Sequence, residues 1–409
     1  MTKIGLIREG KVPIDRRVPV TPLQAKAIQS EFHDVKVVAQ SSTVRCFDDQ
    51  DYRNEGIEVV EEVDDCDILL GVKEVPIENL IPDKTYFFFS HTIKQQAYNR
   101  DLLRAVLKKN IRLVDYETLT DVNGKRIIAF GRWAGIVGAY NALWTFGQRY
   151  NLYDIRRAYQ CLDLEDMKRE FSKIELPPIK IAVTGGGRVA KGAMEVLHKL
   201  EVHKVTPQSF TEDEFPIPVF SQLNTRDYNV RQDGGEFNRS EFYSHPDLYH
   251  SDFLKFAHVA DVLIACAFWE PRAPVLFHRE DVMHGGFQTT VIADVTCDIE
   301  GSIPSTKKAS TIEDPIYDYN PSEDKMEPPL TDEANITVMA VDNLPCELPR
   351  DASESFGDEL IAAVLPHLLN GDEEGVIARA TIARDGKLTE EYSYLRDYVE
   401  GKSSASSSD

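Results

Sequence analysis

Two basic side chains stand where packing alone would not put them. Lys73 directly follows the apolar run 67–72, and His91 follows the aromatic run 85–89 with only Ser90 between. A lysine and a histidine at such exits suit acid–base chemistry near neutral pH; the bland alternative is two strand-exit residues facing water. Glu117 closes a third run, 111–114, in the same manner. A second group of residues reads Gly185-x-Gly187-x-x-Ala190, after the β-branched run 179–183 and before Val189, Ala193, Val196, Leu197 and Leu200 at helical spacing. Gly185 suits a tight turn, Gly187 lets backbone approach a pyrophosphate, and Ala190 lets a helix lie close to a strand. The helix start then offers free N–H groups to phosphates. The candidates for nucleotide contact are therefore Gly185, Gly186, Gly187, Arg188 and Val189, with Thr206 at the end of the next expected strand. An ordinary βα turn is the competing reading. The acid expected about 20 residues on, for the ribose hydroxyls, is missing: the strand expected over 203–205 ends in Thr206. NAD and NADP both stay open.

The elements that must carry these groups alternate strand and helix. Runs 67–72, 85–89 and 111–114 are joined by segments that include a helix over about 94–109, so the strands are expected to be parallel. Parallel strands end along one edge, where α/β folds bind ligands. Lys73, His91 and Glu117 are thus predicted to meet there. Thr21-Pro22 predicts a helix start. Of the arginines before it, Arg16 and Arg17, one could bind a carboxylate bidentately. Asn123-Gly124 predicts a turn, followed by a strand over 127–130. The helix over 131–151 is apolar on nearly every side and is expected to be buried between two domains. Further strands are expected at 261–266, 290–295 and 338–341, each with acidic or polar residues beyond it, among them Asp342. Residues 207–250 read as an irregular insertion, a helix over 351–369 as the end of the globular part, and the tail 403–409 as low complexity.

A chain of 409 residues with 42% hydrophobic residues can bury two cores. Its net charge of −22 argues against nucleic acid or an anionic membrane surface as a partner. No run approaches the roughly 20 apolar residues of a membrane span, and the N-terminus has no signal-peptide pattern. The six cysteines form no C-x-x-C pair, which suits reduced thiols in a cytoplasmic protein and gives no metal site.

The runs 71–76 (Gly-Val-Lys-Glu-Val-Pro), 89–95 (Phe-Ser-His-Thr-Ile-Lys-Gln) and 115–117 (Asp-Tyr-Glu) resemble the saccharopine dehydrogenase and lysine–2-oxoglutarate reductase family. So do 124–131 (Gly-Lys-Arg-Ile-Ile-Ala-Phe-Gly) and 341–350 (Val-Asp-Asn-Leu-Pro-Cys-Glu-Leu-Pro-Arg). That family is related to alanine dehydrogenase. The resemblance implies an α/β fold of two Rossmann-like domains with the active site in the cleft between them. The boundaries expected are 1–137 with 346–409 for the catalytic domain and 138–345 for the NAD(P)-binding domain. It implies reversible oxidation of saccharopine to L-lysine and 2-oxoglutarate, with NAD or NADP. By motif position Lys73 and His91 are the acid–base pair, with Glu74 and Glu117 beside them. Arg17 and Arg126 suit substrate carboxylates, and Asp342 lies on the nicotinamide side. Two other readings stay open: an alanine-dehydrogenase-like enzyme, and a non-catalytic nucleotide sensor, against which the intact Lys73 and His91 speak. The oligomeric state is not legible.

Overall fold

The computed structural model describes residues 1–402. The chain forms two compact units, Met1–Ala129 with the chain from Pro349 onward, and Phe130–Leu348. In chain order the first strands are β1 (Thr2–Leu6), β2 (Val35–Gln40), β3 (Glu58–Val60), β4 (Ile68–Leu70), β5 (Thr85–Phe88) and β6 (Arg112–Asp115). Then come β7 (Lys180–Thr184), β8 (His203–Val205), β9 (Val219–Leu223), β10 (Asn229–Arg231), β11 (Tyr249–Ser251), β12 (Val262–Ala265) and β13 (Val291–Asp294). The last are β14 (Ile316–Asn320), β15 (Lys325–Glu327), β16 (Ile336–Met339), β17 (Thr381–Arg384) and β18 (Lys387–Leu388).

The first unit is built on one sheet in the order β18-β17-β6-β5-β4-β1-β2-β3. From β6 to β3 every pairing is parallel, with Leu70 opposite both Leu6 and Phe87. These strands read as continuous apolar runs because helices cover both faces of such a sheet. Leu69, Tyr86, Phe88 and Leu113 pack on one side with Leu103 and Val106 of the helix Arg100–Lys108. That helix starts later than expected, since 92–94 and 97–99 are short 3-10 turns. The helix start at Thr21 is as read: its side chain and that of Gln24 cap each other's backbone, with Pro22 at the first position. Two expectations fail. Residues 127–130 are not a strand; the Asn123-Gly124 turn closes only a single bridge between Thr120 and Arg126. The globular part does not end with the helix Pro349–Ala363 and its continuation, because β17 returns to pair antiparallel with β6. The tail 403–409 lies outside the described residues.

The second unit repeats the plan with the order β15-β14-β16-β13-β12-β7-β9-β8. From β16 to β8 the strands are parallel, and β14 and β15 add an antiparallel edge. Phe210, Phe253, Phe256, Leu263, Ile292 and Tyr319 fill one core. The segment expected to be irregular holds β9 and the two-stranded ribbon β10–β11, with three short helices. The helix Gly131–Tyr150 belongs wholly to this unit and lies against the helix Arg188–Lys199. The two meet backbone to backbone. A Cβ at Gly135 would stand 1.9 Å from the Val189 carbonyl oxygen, and one at Gly192 2.0 Å from that of Arg132.

Candidate functional site

The parallel strands of the first unit bring four chain exits to one edge. Residues 7–17 follow β1, residues 71–75 follow β4, residues 89–95 follow β5 and residues 115–117 follow β6. Lys73 is half-buried at the β4 exit. Burial, and then the Arg17 guanidinium, pull its ammonium below the ordinary lysine value. The backbone N–H of Lys73 donates to Glu9 Oε2 at 2.9 Å. His91, half-buried in the left-handed conformation at φ 52°, sets its Nδ1 2.6 Å from Glu74 Oε1. Glu74 is buried, and its other oxygen accepts from Lys11 Nζ at 2.6 Å. Burial alone would raise the Glu74 carboxyl; the hydrogen bonds from His91 and Lys11 outweigh it and hold the group at about 2. An anion of this kind fixes the orientation of the imidazole ring.

Glu117 stands 3.6 Å from Lys94 Nζ and 3.9 Å from Arg126 Nη1, while its second oxygen is buried without a hydrogen bond among the described residues. Asp115 ties the floor of this corner, accepting from the Ser90 and Glu117 backbone N–H groups and from the Ser90 hydroxyl. Arg126 lies 5.5 Å over the Phe89 ring, which is stacked on His91 at 6.3 Å. Arg17 is buried, unlike its exposed neighbour Arg16. Its Nε and Nη2 form a fork on Asp15 at 3.0 and 2.5 Å. The edge thus gathers Lys73, His91, Glu74, Glu117 and Arg126, with Arg17 set beneath by Asp15. The sequence reading missed Glu9, Asp15 and Lys11. For Glu9 the available signal was its position just after the β1 run, the rule that marks Lys73 and His91; Lys11 and Asp15 lie farther along the same exit, beyond its reach.

The glycine turn lies in the second unit. Gly185 takes φ +96°, a conformation that side chains rarely adopt, with Ala267 backbone 3.2 Å from where a Cβ would stand. A Cβ at Gly187 would meet nothing within 4 Å. Gly187 also caps the helix Arg188–Lys199 without a side-chain hydrogen bond. Open space before a side-chain-free helix start fits the pyrophosphate of a dinucleotide. Gly186 and half-buried Arg188 border the same turn. Val189 borders the turn as well and also packs the helix pair: its carbonyl abuts Gly135 and its side chain abuts Gly131.

Thr206 also needs correction. The strand it ends, β8, is at the sheet edge, and β9 lies between it and β7. The Thr206 hydroxyl caps the helix Pro207–Glu212, accepting from Ser209 N–H at 3.1 Å. The strand end beside the turn is that of β9. There Gln222 donates to the Gly185 carbonyl at 3.1 Å, and Asn224 Oδ1 sits 2.9 Å from a Cβ built on Gly186. The acid nearest in sequence to this strand end, Asp227, is engaged in capping the next helical turn, accepting from the Asn224 N–H at 2.7 Å. Asp342 is exposed just beyond β16, and its N–H donates to the Ser310 carbonyl.

All six cysteines are free thiols, and no cluster among the described residues could hold a metal ion. No helix of the described residues is long and apolar enough to cross a membrane.

Residues 5–137 match the family described as alanine dehydrogenase/PNT, N-terminal domain. The chain is 30% identical to alpha-aminoadipic semialdehyde synthase of Arabidopsis thaliana over 96% of its own length and 41% of the relative's. Against the mitochondrial enzyme of that name in Mus musculus the identity is 31%, over 98% of this chain and 48% of the relative. The chain thus spans about half the length of these relatives. It is 26% identical to "Saccharopine dehydrogenase [NAD(+), L-lysine-forming]" of Yarrowia lipolytica, over 89% of this chain and 91% of that protein. Among solved structures, L-alanine dehydrogenase shares the fold with a TM-score of 0.63 at 17% identity, covering 98% of this chain and 100% of that one. A transhydrogenase from Sinorhizobium meliloti does so with 0.61 at 14%, covering 95% and 100%. The chain is thus similar over most of its length to alpha-aminoadipic semialdehyde synthases and to a fungal saccharopine dehydrogenase, and over residues 5–137 to the N-terminal domain of alanine dehydrogenase.

Proposed function

We propose that this chain is an NAD(P)-dependent oxidoreductase acting on a CH–NH bond, interconverting saccharopine with L-lysine and 2-oxoglutarate. The observation that carries the reading is the pairing of a lowered-pKa lysine with a carboxylate-backed histidine at neighbouring strand exits, Lys73 after β4 and His91 on Glu74 after β5. The names of the plant, mouse and fungal relatives support it.

Saccharopine is a secondary amine linking lysine to a glutarate skeleton. A bound nicotinamide would take up or supply the hydride at the glutarate-side carbon. The remaining steps are proton transfers: loss of a proton from the amine, addition of water to the imine, and collapse of the carbinolamine. Each needs a group that changes protonation near neutral pH. A lysine depressed by burial and by Arg17 can take a proton as the free amine and return it as the ammonium. His91, oriented by Glu74 on Nδ1, serves as the second acid or base. The substrate's three carboxylates are assigned to Arg126 and Arg17, and Glu117 keeps Arg126 and Lys94 near the edge.

The nucleotide is assigned to Gly185, Gly186, Gly187 and Arg188, with Asp342 toward the nicotinamide. NAD or NADP is left to measurement, since the β9 end offers Gln222 and Asn224 where an acid would select the ribose hydroxyls. The partners proposed are these small molecules alone, in keeping with the net charge of −22. The compartment proposed is the cytoplasm, supported by six free thiols.

The test is absorbance of NADH and NADPH with the purified chain. Lysine with 2-oxoglutarate is compared with pyruvate and ammonium, the pair that an alanine-dehydrogenase-like enzyme would use. Oxidation with the first pair supports the reading; oxidation with the second pair alone refutes it.

A further inference from the structure

Glu9 has no role in the reading above, yet it is tied to Lys73 more directly than any other side chain. It lies in the exit of β1, the strand next to β4. Its carboxylate spans two consecutive peptide groups, with Oε1 accepting from Val72 N–H at 2.6 Å and Oε2 from Lys73 N–H at 2.9 Å. The backbones are close here as well. A Cβ at Gly71 would stand 2.9 Å from the Ile7 side chain and 3.5 Å from Glu9 Oε1. Two hydrogen bonds to one carboxylate leave the peptide plane before Lys73 little freedom, so the start of the lysine side chain is fixed in place and direction.

We propose that Glu9 is the positioning residue of the proton-transfer edge, holding the Lys73 strand exit through its two backbone hydrogen bonds. This rests on the reading of Lys73 as a proton carrier. Burial, then Asp15, raise the Glu9 carboxyl to about 8, against the pull of the two peptide N–H groups and of Arg17. The groups that bear on it are Asp15 and Arg17 from the β1 exit, Lys73 through its N–H, and Tyr116 from the β6 exit. The Tyr116 hydroxyl is buried without a hydrogen bond among the described residues, and the charge of Glu9 adds to the burial that raises it. As an anion Glu9 accepts both N–H groups with charge-assisted bonds. Once protonated, one oxygen carries a hydrogen and the grip on the exit weakens.

The experiment reads the grip itself. Protein labelled with [15N]lysine is titrated from about pH 6 to about pH 10, bracketing the carboxyl. The Lys73 backbone amide is identified by its absence in Lys73→Arg. The wild-type amide should move with a midpoint near 8, and in Glu9→Gln it should not move there. A wild-type amide that stays flat overturns the proposal even if Glu9→Gln fails to fold, and so does a variant that keeps the same inflection. A second readout concerns turnover measured above about pH 9, where Glu9 is ionised: there Glu9→Gln should lower kcat by about tenfold or more through misplacement of Lys73, with NAD(P)H affinity unchanged. Unchanged kcat would contradict the positioning role. If the wild-type chain does not turn over lysine and 2-oxoglutarate, the proposed function falls, while the amide titration still decides what Glu9 does.

Discussion

His91 Nδ1 and Glu74 Oε1 lie 2.6 Å apart, although 17 residues and a strand separate them in the chain. Neighbouring parallel strands produce this contact: β4 ends beside β5, so the second residue past Val72 meets the third past Phe88. The Glu74 carboxyl is also held well below the ordinary carboxylate range, and that has a consequence for acid stability.

A carboxyl at about 2 in the fold, against an ordinary 4.5 in the unfolded chain, stabilises the fold when ionised. That contribution is complete above 4.5 and is lost as pH falls through about 2. Urea unfolding at several pH values should show wild-type stability falling over this window. Glu74→Gln should show a shallower fall, and an unchanged slope would mean that the ion pair is absent in solution.

The buried fork of Arg17 on Asp15 predicts a cost when one partner is removed. Both side chains are almost without exposure, at 3% and 1%. Asp15→Asn should destabilise the first unit by about 3–5 kcal/mol, measured by urea unfolding. A loss no larger than that of an exposed pair would show that Arg17 finds another anion.

Much of this edge was legible in the sequence because it obeys a local rule: a charged residue directly after an apolar run sits at a strand end. Lys73, His91 and Glu117 were found that way. Glu9 obeys the same rule, yet Arg8-Glu9 reads as ordinary surface until the partner N–H groups of β4 are seen. Thr206 failed for a different reason. Strand order is a long-range property, and nothing near 206 announces that β9, hidden among Pro216 and Pro218, takes the place beside β7. The return of β17 to β6 is equally non-local, since an antiparallel edge strand after residue 371 leaves no periodic trace.

The glycine turn and the helix pair should separate nucleotide binding from folding. Gly187→Ala meets open space and should fold as the wild type does, but bind NAD(P)H at least about tenfold more weakly, because a methyl stands where phosphate must approach. Gly135→Ala forces a Cβ against the Val189 carbonyl and should lower stability by about 1–3 kcal/mol. Thermal unfolding and fluorescence titration of the reduced cofactor would distinguish the two. Equal losses of stability would contradict the packing described for Val189.

The central claim concerns Lys73. The most direct measurement is mass-spectrometric detection of saccharopine formed from L-lysine, 2-oxoglutarate and reduced cofactor, by the wild type and by Lys73→Met. The account predicts saccharopine from the wild type. It predicts turnover lowered by about 10²–10⁴-fold in the variant, with reduced-cofactor affinity unchanged. No saccharopine from the wild type with either cofactor, or a variant that turns over normally, would contradict it.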